Sequence, residues 1–352
     1  MLLALALQVA GLKPEIDESL VKDLSKIAGS KAVVYLRSYH SRPEVPAETT
    51  FTFLDPKASI VGVVKTSENI KETQISQDGK MMAVRVESYI AAKTANVTDV
   101  IVVTKKGLLA NTHLDSNCQM KWLGGHLLIF AKNVVRFGSD PERGIWTTTN
   151  LFDQNANSLA LDGDSFWISS LNKDGNTGRL IQINQEGKEL RSVEVSKSNL
   201  DPNKSAREIV LKPKGFPYLV LTNFHYTGDG FGGFTTLSLF HYDTGTEALL
   251  AKEVESDQFL WLSGPKLFGF VPSHFLRGQM KFYAPALGRF FTLGPGNMYS
   301  PSCAALDDET AIVVGGLDGS KQTIFLMKPG KNSYERITIP SVPDPSDVSA
   351  CR

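Results

Sequence analysis

The sequence predicts an all-β fold, a β-propeller of about seven four-stranded antiparallel blades with one short N-terminal helix. Short strands alternate with turn signals from residue 31 onward, and this pattern recurs at a nearly constant period. The middle residues of successive second strands lie 39 to 52 residues apart, close to the blade length of propellers, roughly 40 to 50 residues. These middle residues are Val34, Val84, Leu128, Trp167, Leu219, Phe268 and Ile312.

The fourth repeat shows the pattern of one blade most clearly. A short apolar strand at 157–161 is followed by SFWISS at 165–170, RLIQIN at 179–184 and ELRSVEV at 189–195. The intervening turns are rich in Asp, Asn and Gly, which tolerate positive φ. Four strands joined by short hairpins are the composition of one propeller blade, and we expect Trp167 to be buried against the neighbouring blade.

The first repeat is incomplete. Residues 31–64 contain three predicted strands but no innermost strand before Lys31. Closure of the ring could therefore use residues 2–9 or a C-terminal segment, and rings of six or eight blades remain open. Before the repeats, Ile16, Leu20, Leu24 and Ile27 share one helical face, which predicts a helix over residues 15–29.

We divide the chain into residues 1–10, an N-terminal helix region at 11–30, a propeller at 31–341 and a C-terminal tail at 342–352. The first ten residues, MLLALALQVA, are too few to span a bilayer, which needs roughly 20 apolar residues. They predict either a cleaved signal peptide or a buried N-terminal strand. A signal peptide implies a periplasmic or extracellular protein, and a strand implies a cytoplasmic one.

The composition excludes some classes of partner. Lys and Arg together number 37, as do Asp and Glu, so the formal net charge is zero. Nucleic-acid binding by bulk electrostatics needs a basic excess and is not expected. The sequence contains no run long and apolar enough for a membrane span, and we expect a monomer.

Three segments resemble blades of known propeller families. ISQDGK at 75–80 resembles the turn of TolB-type and WD-type blades, and LDGDSFW at 161–167 with the following GRLIQINQEGKEL resembles NHL and lyase-type blades. LDDETAIVVGG at 306–316 resembles a kelch blade, with Tyr334 in place of the kelch tryptophan. The resemblances agree on the propeller but not on one family, and they imply no catalytic residue.

Metal and cofactor sites are not expected. The cysteines Cys118, Cys303 and Cys351 have no metal-ligand spacing, and their odd number argues against a disulfide framework. No pair of the six histidines has the i, i+2 or i, i+4 spacing of a compact metal site. Residues 172–176 resemble the start of a calcium loop, but Ile183 occupies the position where an EF-hand needs glutamate.

The candidate ligand-binding segment is NFHYTGDGFGG at 223–233, an extended hairpin connection in blade five. It includes a GxGxxG pattern, but a strand-like segment follows instead of the helix that a dinucleotide site requires. Aromatic and ionisable residues on a loop over a rigid scaffold often form binding sites. We therefore predict that His225, Tyr226, Asp229 and Phe231 bind a ligand. The alternatives are a solvated loop or aromatic residues that cap blade five.

Two functions follow from these observations. The first is a non-catalytic propeller scaffold that binds a protein or carbohydrate partner through loops at one face. The alternative is an enzyme of the lactonase, lyase or glycosidase type, with its site at the mouth of the central channel. Histidine or carboxylate side chains that converge from different blades would favour the enzyme.

Overall fold

The computed structural model describes residues 17–42, 45–90, 95–114, 118–131, 133–139, 145–152, 155–171, 177–195, 207–226, 233–272, 279–317, 322–340, 342 and 345–351. Within these ranges the chain forms one α-helix, α1 (Glu18–Ile27), and seven four-stranded antiparallel sheets. The sheets are the blades of one propeller ring, as the sequence predicts. The Asn172–Asn176 turn lies outside the described residues.

The blades use 28 strands. Blade one contains β1 (Val34–Arg42), β2 (Val45–Leu54), β3 (Ile60–Thr66) and β28 (Asp347–Ala350). Blade two contains β4 (Ile70–Ile75), β5 (Met81–Ile90), β6 (Ala95–Thr104) and β7 (Gly107–Leu114), and blade three contains β8 (Gln119–Leu123), β9 (His126–Phe130), β10 (Val134–Ser139) and β11 (Trp146–Phe152). Blade four contains β12 (Ala156–Asp162), β13 (Ser165–Leu171), β14 (Thr177–Asn184) and β15 (Glu189–Glu194).

Blade five contains β16 (Arg207–Leu211), β17 (Tyr218–Tyr226), β18 (Gly233–His241) and β19 (Thr246–Lys252). Blade six contains β20 (Val254–Leu262), β21 (Leu267–Pro272), β22 (Met280–Ala284) and β23 (Arg289–Leu293). Blade seven contains β24 (Met298–Ala305), β25 (Ala311–Leu317), β26 (Gln322–Lys328) and β27 (Ser333–Ile337). All seven residues that define the sequence period lie in second strands.

The ring is closed by the C-terminal strand. β28 pairs with β1, so that Val34 lies opposite Ala350 and Arg37 lies opposite Asp347. The Arg37 guanidinium binds the Asp347 carboxylate, with 2.9 Å between Nη2 and Oδ2. Residues 347–350, which the sequence division assigns to a tail, thus form the innermost strand of blade one, and of the two closure routes the structure uses the C-terminal one.

Helix α1 covers the outer side of the seam between blades one and two. The Asp17 side chain caps it by accepting the Ser19 N–H at 2.8 Å, and the predicted apolar face is buried at Leu20, Leu24 and Ile27. The helix contacts strands of both blades, including the outer strands β3 and β7. Because blades diverge outward, the helix fills space that the strands leave open.

Apolar side chains fill the seams between neighbouring blades, and Trp167 shows how. Its side chain is fully buried between blades four and five, among Leu180, Leu219 and Phe240. Its indole N–H donates to Asp162 Oδ2 at 3.1 Å. The prediction that Trp167 packs between blades is confirmed.

The two faces of the ring differ in which connections they contain. We call the face with the second-to-third-strand and blade-to-blade connections the upper face, and the face with the other turns the lower face. The innermost strands β4, β8, β12, β16, β20, β24 and β28 surround the central channel. No helix in the described ranges is long and apolar enough to cross a membrane.

Candidate functional site at the upper face

Three hairpins extend beyond the innermost strands at the channel mouth, among the residues that the structure describes. They are the β1–β2, β5–β6 and β17–β18 hairpins. In each hairpin the second strand of the blade continues three to five residues past the last residue that pairs with the innermost strand, and it ends at Arg42, Ile90 or Tyr226. Two of these hairpins carry an exposed aromatic side chain: Tyr39 is 59% exposed and Phe224 is 44% exposed. The hairpins form a raised rim on the upper face.

The predicted ligand-binding segment is the β17–β18 hairpin. It is more regular than the sequence predicts, because β17 continues to Tyr226, whose backbone pairs with Gly233 at the start of β18. The connection proper is therefore 227–232. The Tyr226 side chain, Asp229 and Phe231 lie outside the described residues, so their role in binding stays a prediction.

His225 points into the seam between blades four and five. Its side chain is buried, and its ring stacks on Phe234 with centroids 5.0 Å apart. Its Nε2 lies 3.0 Å from Thr236 Oγ1. His225 thus stabilises the base of the hairpin on which the other three predicted residues lie.

A buried polar cluster lies beside His225. Arg207, only 3% exposed, pairs with Glu247 at 2.9 Å between Nη1 and Oε2, and Ser238 donates to the same carboxylate. Burial lowers the pKa of Arg207, and the charge of Glu247 opposes that shift. Asn223 Oδ1 is buried with no hydrogen-bond partner among the described residues. The upper part of this seam is therefore polar, whereas its lower part, around Trp167, is apolar.

Polar side chains on innermost strands connect adjacent blades. Four of them accept the backbone N–H of an innermost strand in the next blade, at 2.6 to 3.1 Å. The accepting side chains are Glu72, Ser158, Gln258 and Ser302. Because an innermost strand has an open edge, these bonds satisfy backbone groups that lack a partner strand, so the four residues have a structural role.

The innermost strands β4 and β12 carry β-bulges near the upper face. Each strand inserts one residue into the ladder, at Lys71 and at Asn157. A bulge redirects side chains and increases the local twist, and bulges are common next to functional sites. The channel mouth is thus irregular at blades two and four.

Glu208 is the carboxylate that stands out at this mouth. It lies second in the innermost strand β16 and is exposed, and its carboxylate forms no hydrogen bond or ion pair with the described residues. Desolvation by the surrounding protein raises its pKa. Burial also raises the pKa of Glu72 in blade two, against the opposing charges of Lys121 and Arg85.

No three His, Cys, Asp or Glu side chains in the described ranges are grouped as a metal site would require. The three cysteines are buried, and burial raises the pKa of Cys118 to about 12. A thiol with such a pKa is a poor nucleophile, because the thiolate is the reactive form.

Sequence reasoning missed the Arg207–Glu247 pair. Arg207 alternates with Ile209 and Leu211 on one strand, so it occupies a position that the period of two directs inward. A charged residue at an inward position indicates a buried partner. Its partner is 40 residues away, and nothing in the sequence pairs the two.

Comparisons with known proteins agree on the fold. No family model and no curated protein matches the chain. The chain resembles a Mycobacterium tuberculosis puromycin-hydrolyzing peptidase (TM-score 0.52, 9% identity, 91% of this chain and 55% of that one). It also resembles the β-propeller domain of Myceliophteria thermophila Cps50 (Swd1) (TM-score 0.50, 9% identity, 84% of this chain and 99% of that one). A third similar structure, the Pyrococcus horikoshii acylaminoacyl peptidase, has a TM-score of 0.50 at 9% identity, with 77% of this chain and 46% of that one covered.

The chain therefore spans nearly all of one of these propellers and about half of each peptidase. At such low identity the similarity shows the fold alone, and the function has to be argued from the surface of this molecule.

Proposed function

We propose that this protein is a non-catalytic binding module that holds a partner protein on its upper face, with the β17–β18 hairpin as a main contact. The observation that carries the proposal is the raised rim with exposed Tyr39 and Phe224. Large aromatic side chains contribute strongly to protein–protein contacts.

The base of the hairpin supports this role. His225 stacks on Phe234 and contacts Thr236, and the Arg207–Glu247 pair lies in the same seam. A hairpin with a fixed base loses less conformational entropy when its tip binds. The described part of the hairpin thus gives its connection a rigid base.

Site-specific photo-cross-linking tests the proposal. A benzophenone amino acid is placed at position 224 on the rim or, as a control, at Leu249, which has a similar exposure of 43% on the outer strand of the same blade. We expect a discrete protein adduct from position 224 in the native cell extract, and none from position 249. The adduct should disappear in a Tyr226→Ala, Asp229→Ala double variant.

An adduct that is equally strong from both positions, or that persists in the double variant, would show that the rim is not the binding surface. An adduct to polysaccharide instead of protein would replace the protein partner with a carbohydrate one, the other ligand class that the sequence suggests.

One observation favours the second candidate, an enzyme at the channel mouth. A carboxyl group with a raised pKa and no partner among the described residues, such as Glu208, has the properties of a general acid. Lactone and glycoside hydrolysis by the wild-type protein, abolished in Glu208→Gln, would establish that candidate. Equal rates in the two proteins would eliminate it.

A further inference from the structure

Blade six directs a complete row of aromatic side chains toward blade five, near the lower face. Each of its four strands contributes one aromatic residue, and each of these residues lies directly opposite the next one on the neighbouring strand. From the innermost to the outermost strand they are Trp261, Phe268, Tyr283 and Phe290. Phe268 is fully buried, Tyr283 is 9% exposed and Phe290 is 42% exposed. The row therefore becomes accessible toward the outer edge, where neighbouring blades diverge.

Blade five has no aromatic side chain opposite the outer end of this row. Its corresponding row is Tyr218, His241 and Thr246. The rings of Tyr218 and His241 meet edge to face, with centroids 4.9 Å apart. The outer position holds Thr246, a small polar residue, so blade five offers no ring to the exposed Phe290.

The same seam contains two unsatisfied nitrogen atoms. His241 Nδ1 and Trp261 Nε1 are buried and have no hydrogen-bond partner among the described residues. An indole N–H can only donate, so the partner that Trp261 lacks is an acceptor. Buried polar groups are normally paired, and this seam therefore lacks an acceptor group.

A rigid turn presents the inner end of the row. The buried Lys212 ammonium donates to the carbonyl oxygens of Pro213 and Phe216, at 3.1 and 2.8 Å. These bonds fix the turn between β16 and β17, so that Phe216 lies against Trp261 with centroids 5.8 Å apart. The fixed turn also places Lys214 in solvent beside the seam.

Three exposed lysines lie around the aromatic row, although the turn that holds Lys266 also contacts Asp308 of blade seven through Ser263. Lys214, Lys266 and Lys281 are exposed on the two blades, and none forms an ion pair with a described residue. Lys281 lies on the aromatic face of blade six, opposite Phe270. Asp243, in the lower turn of blade five, is already paired with Arg191 of blade four.

We propose that the aromatic row and these three lysines, the lower aromatic surface, form a second docking site, for an acidic peptide segment of a partner protein. An aromatic or large aliphatic side chain of the segment inserts beside Phe290, and its carboxylates pair with the lysines. This site is on the opposite face from the rim and is independent of the proposed function.

A peptide fits this surface better than a polysaccharide. Sugars bind aromatic residues through open ring faces, but at the inner end of the row Phe216 meets Trp261, and Tyr218 meets His241, edge to face. The surface therefore offers ring edges rather than a flat platform. A single side chain of a peptide can pack against Phe290, which is exposed.

The test uses the full chain and a displayed library of random 12-residue peptides. We expect enriched sequences to combine Asp or Glu with Phe, Trp or Leu. The most enriched peptide is then synthesised. Its affinity for the protein should fall at least tenfold in Phe290→Ser and in a Lys214→Glu, Lys266→Glu double variant. Tyr334→Ser and Lys57→Glu are the matched controls, because these exposed residues belong to other blades; they should bind like wild type.

Tryptophan fluorescence places the bound peptide. The selected peptide should change the tryptophan emission of the wild-type protein but not that of Trp261→Phe, which retains the other three tryptophans. Enrichment without acidic residues, or affinity that is unchanged in Phe290→Ser, would overturn the proposal. So would binding of polygalacturonate without binding of any peptide, because that result would assign the surface to a carbohydrate.

Discussion

Replacing Trp167 by alanine tests how the blades are held together. The indole is fully buried between blades four and five and lies 5.0 Å from the Tyr242 ring. Loss of a buried tryptophan leaves a cavity and costs about 3–5 kcal/mol. The loss of the hydrogen bond to Asp162 is smaller, because that carboxylate also accepts from Gln182 at 3.3 Å. We therefore expect a loss of about 4 kcal/mol in the free energy of unfolding.

Urea unfolding followed by circular dichroism measures this value, since the far-ultraviolet signal of the strands does not depend on the deleted fluorophore. Trp167→Phe separates the contributions and should cost about 1–2 kcal/mol, mostly from the hydrogen bond and the smaller ring. The control is Tyr334→Ala, because Tyr334 is 47% exposed on an outer strand. If Trp167→Ala costs no more than Tyr334→Ala, the seam is not held by this side chain and the reasoning fails.

Three further predictions concern charges. Burial raises the pKa of Glu72 above its ordinary value of 4.5, so the stabilisation from its protonation is complete below about pH 4.5 and is lost as pH rises through the folded-state pKa. The unfolding free energy of wild type minus that of Glu72→Gln should therefore decrease as pH rises above about 4.5. Glu247→Gln leaves Arg207 buried without its counter-charge and should cost about 3 kcal/mol in urea unfolding, most of which a double Arg207→Met, Glu247→Leu replacement recovers. Asp347→Asn breaks the ion pair with Arg37 and should cost about 1 kcal/mol and accelerate amide exchange in β28, whereas unchanged exchange there would show that the pair does not hold the closing strand.

Sequence reasoning recovered the repeat because its signals are local. A blade is made of consecutive hairpins, so a short window around Trp167 contains both the alternating apolar positions and the Asp, Asn and Gly turns. The seven second strands could be located for this reason, and so could the face of α1 that carries Leu24 and Ile27. Where the signal depended on turn composition alone, in the hairpin after Asn223, the prediction ended the strand too early.

The closing strand could not be predicted because its information is distant. β28 has four residues, Asp347–Ala350, with no strong alternation, and its partner Val34 lies at the other end of the chain. The charges at the seams were missed for the same reason: the partners Arg207 and Glu247 belong to the first and fourth strands of a blade. Such pairs form only after the blade has assembled.

The proposed partner contact at the upper face is tested most directly by binding and melting measurements on the same variant. The protein recovered by cross-linking at position 224 is titrated calorimetrically with wild type and with the Tyr226→Ala, Asp229→Ala double variant, and the melting temperatures of both are recorded. The account predicts at least tenfold weaker binding with an unchanged melting temperature. Undiminished binding with a lowered melting temperature would contradict it, because these residues would then cap blade five rather than contact the partner.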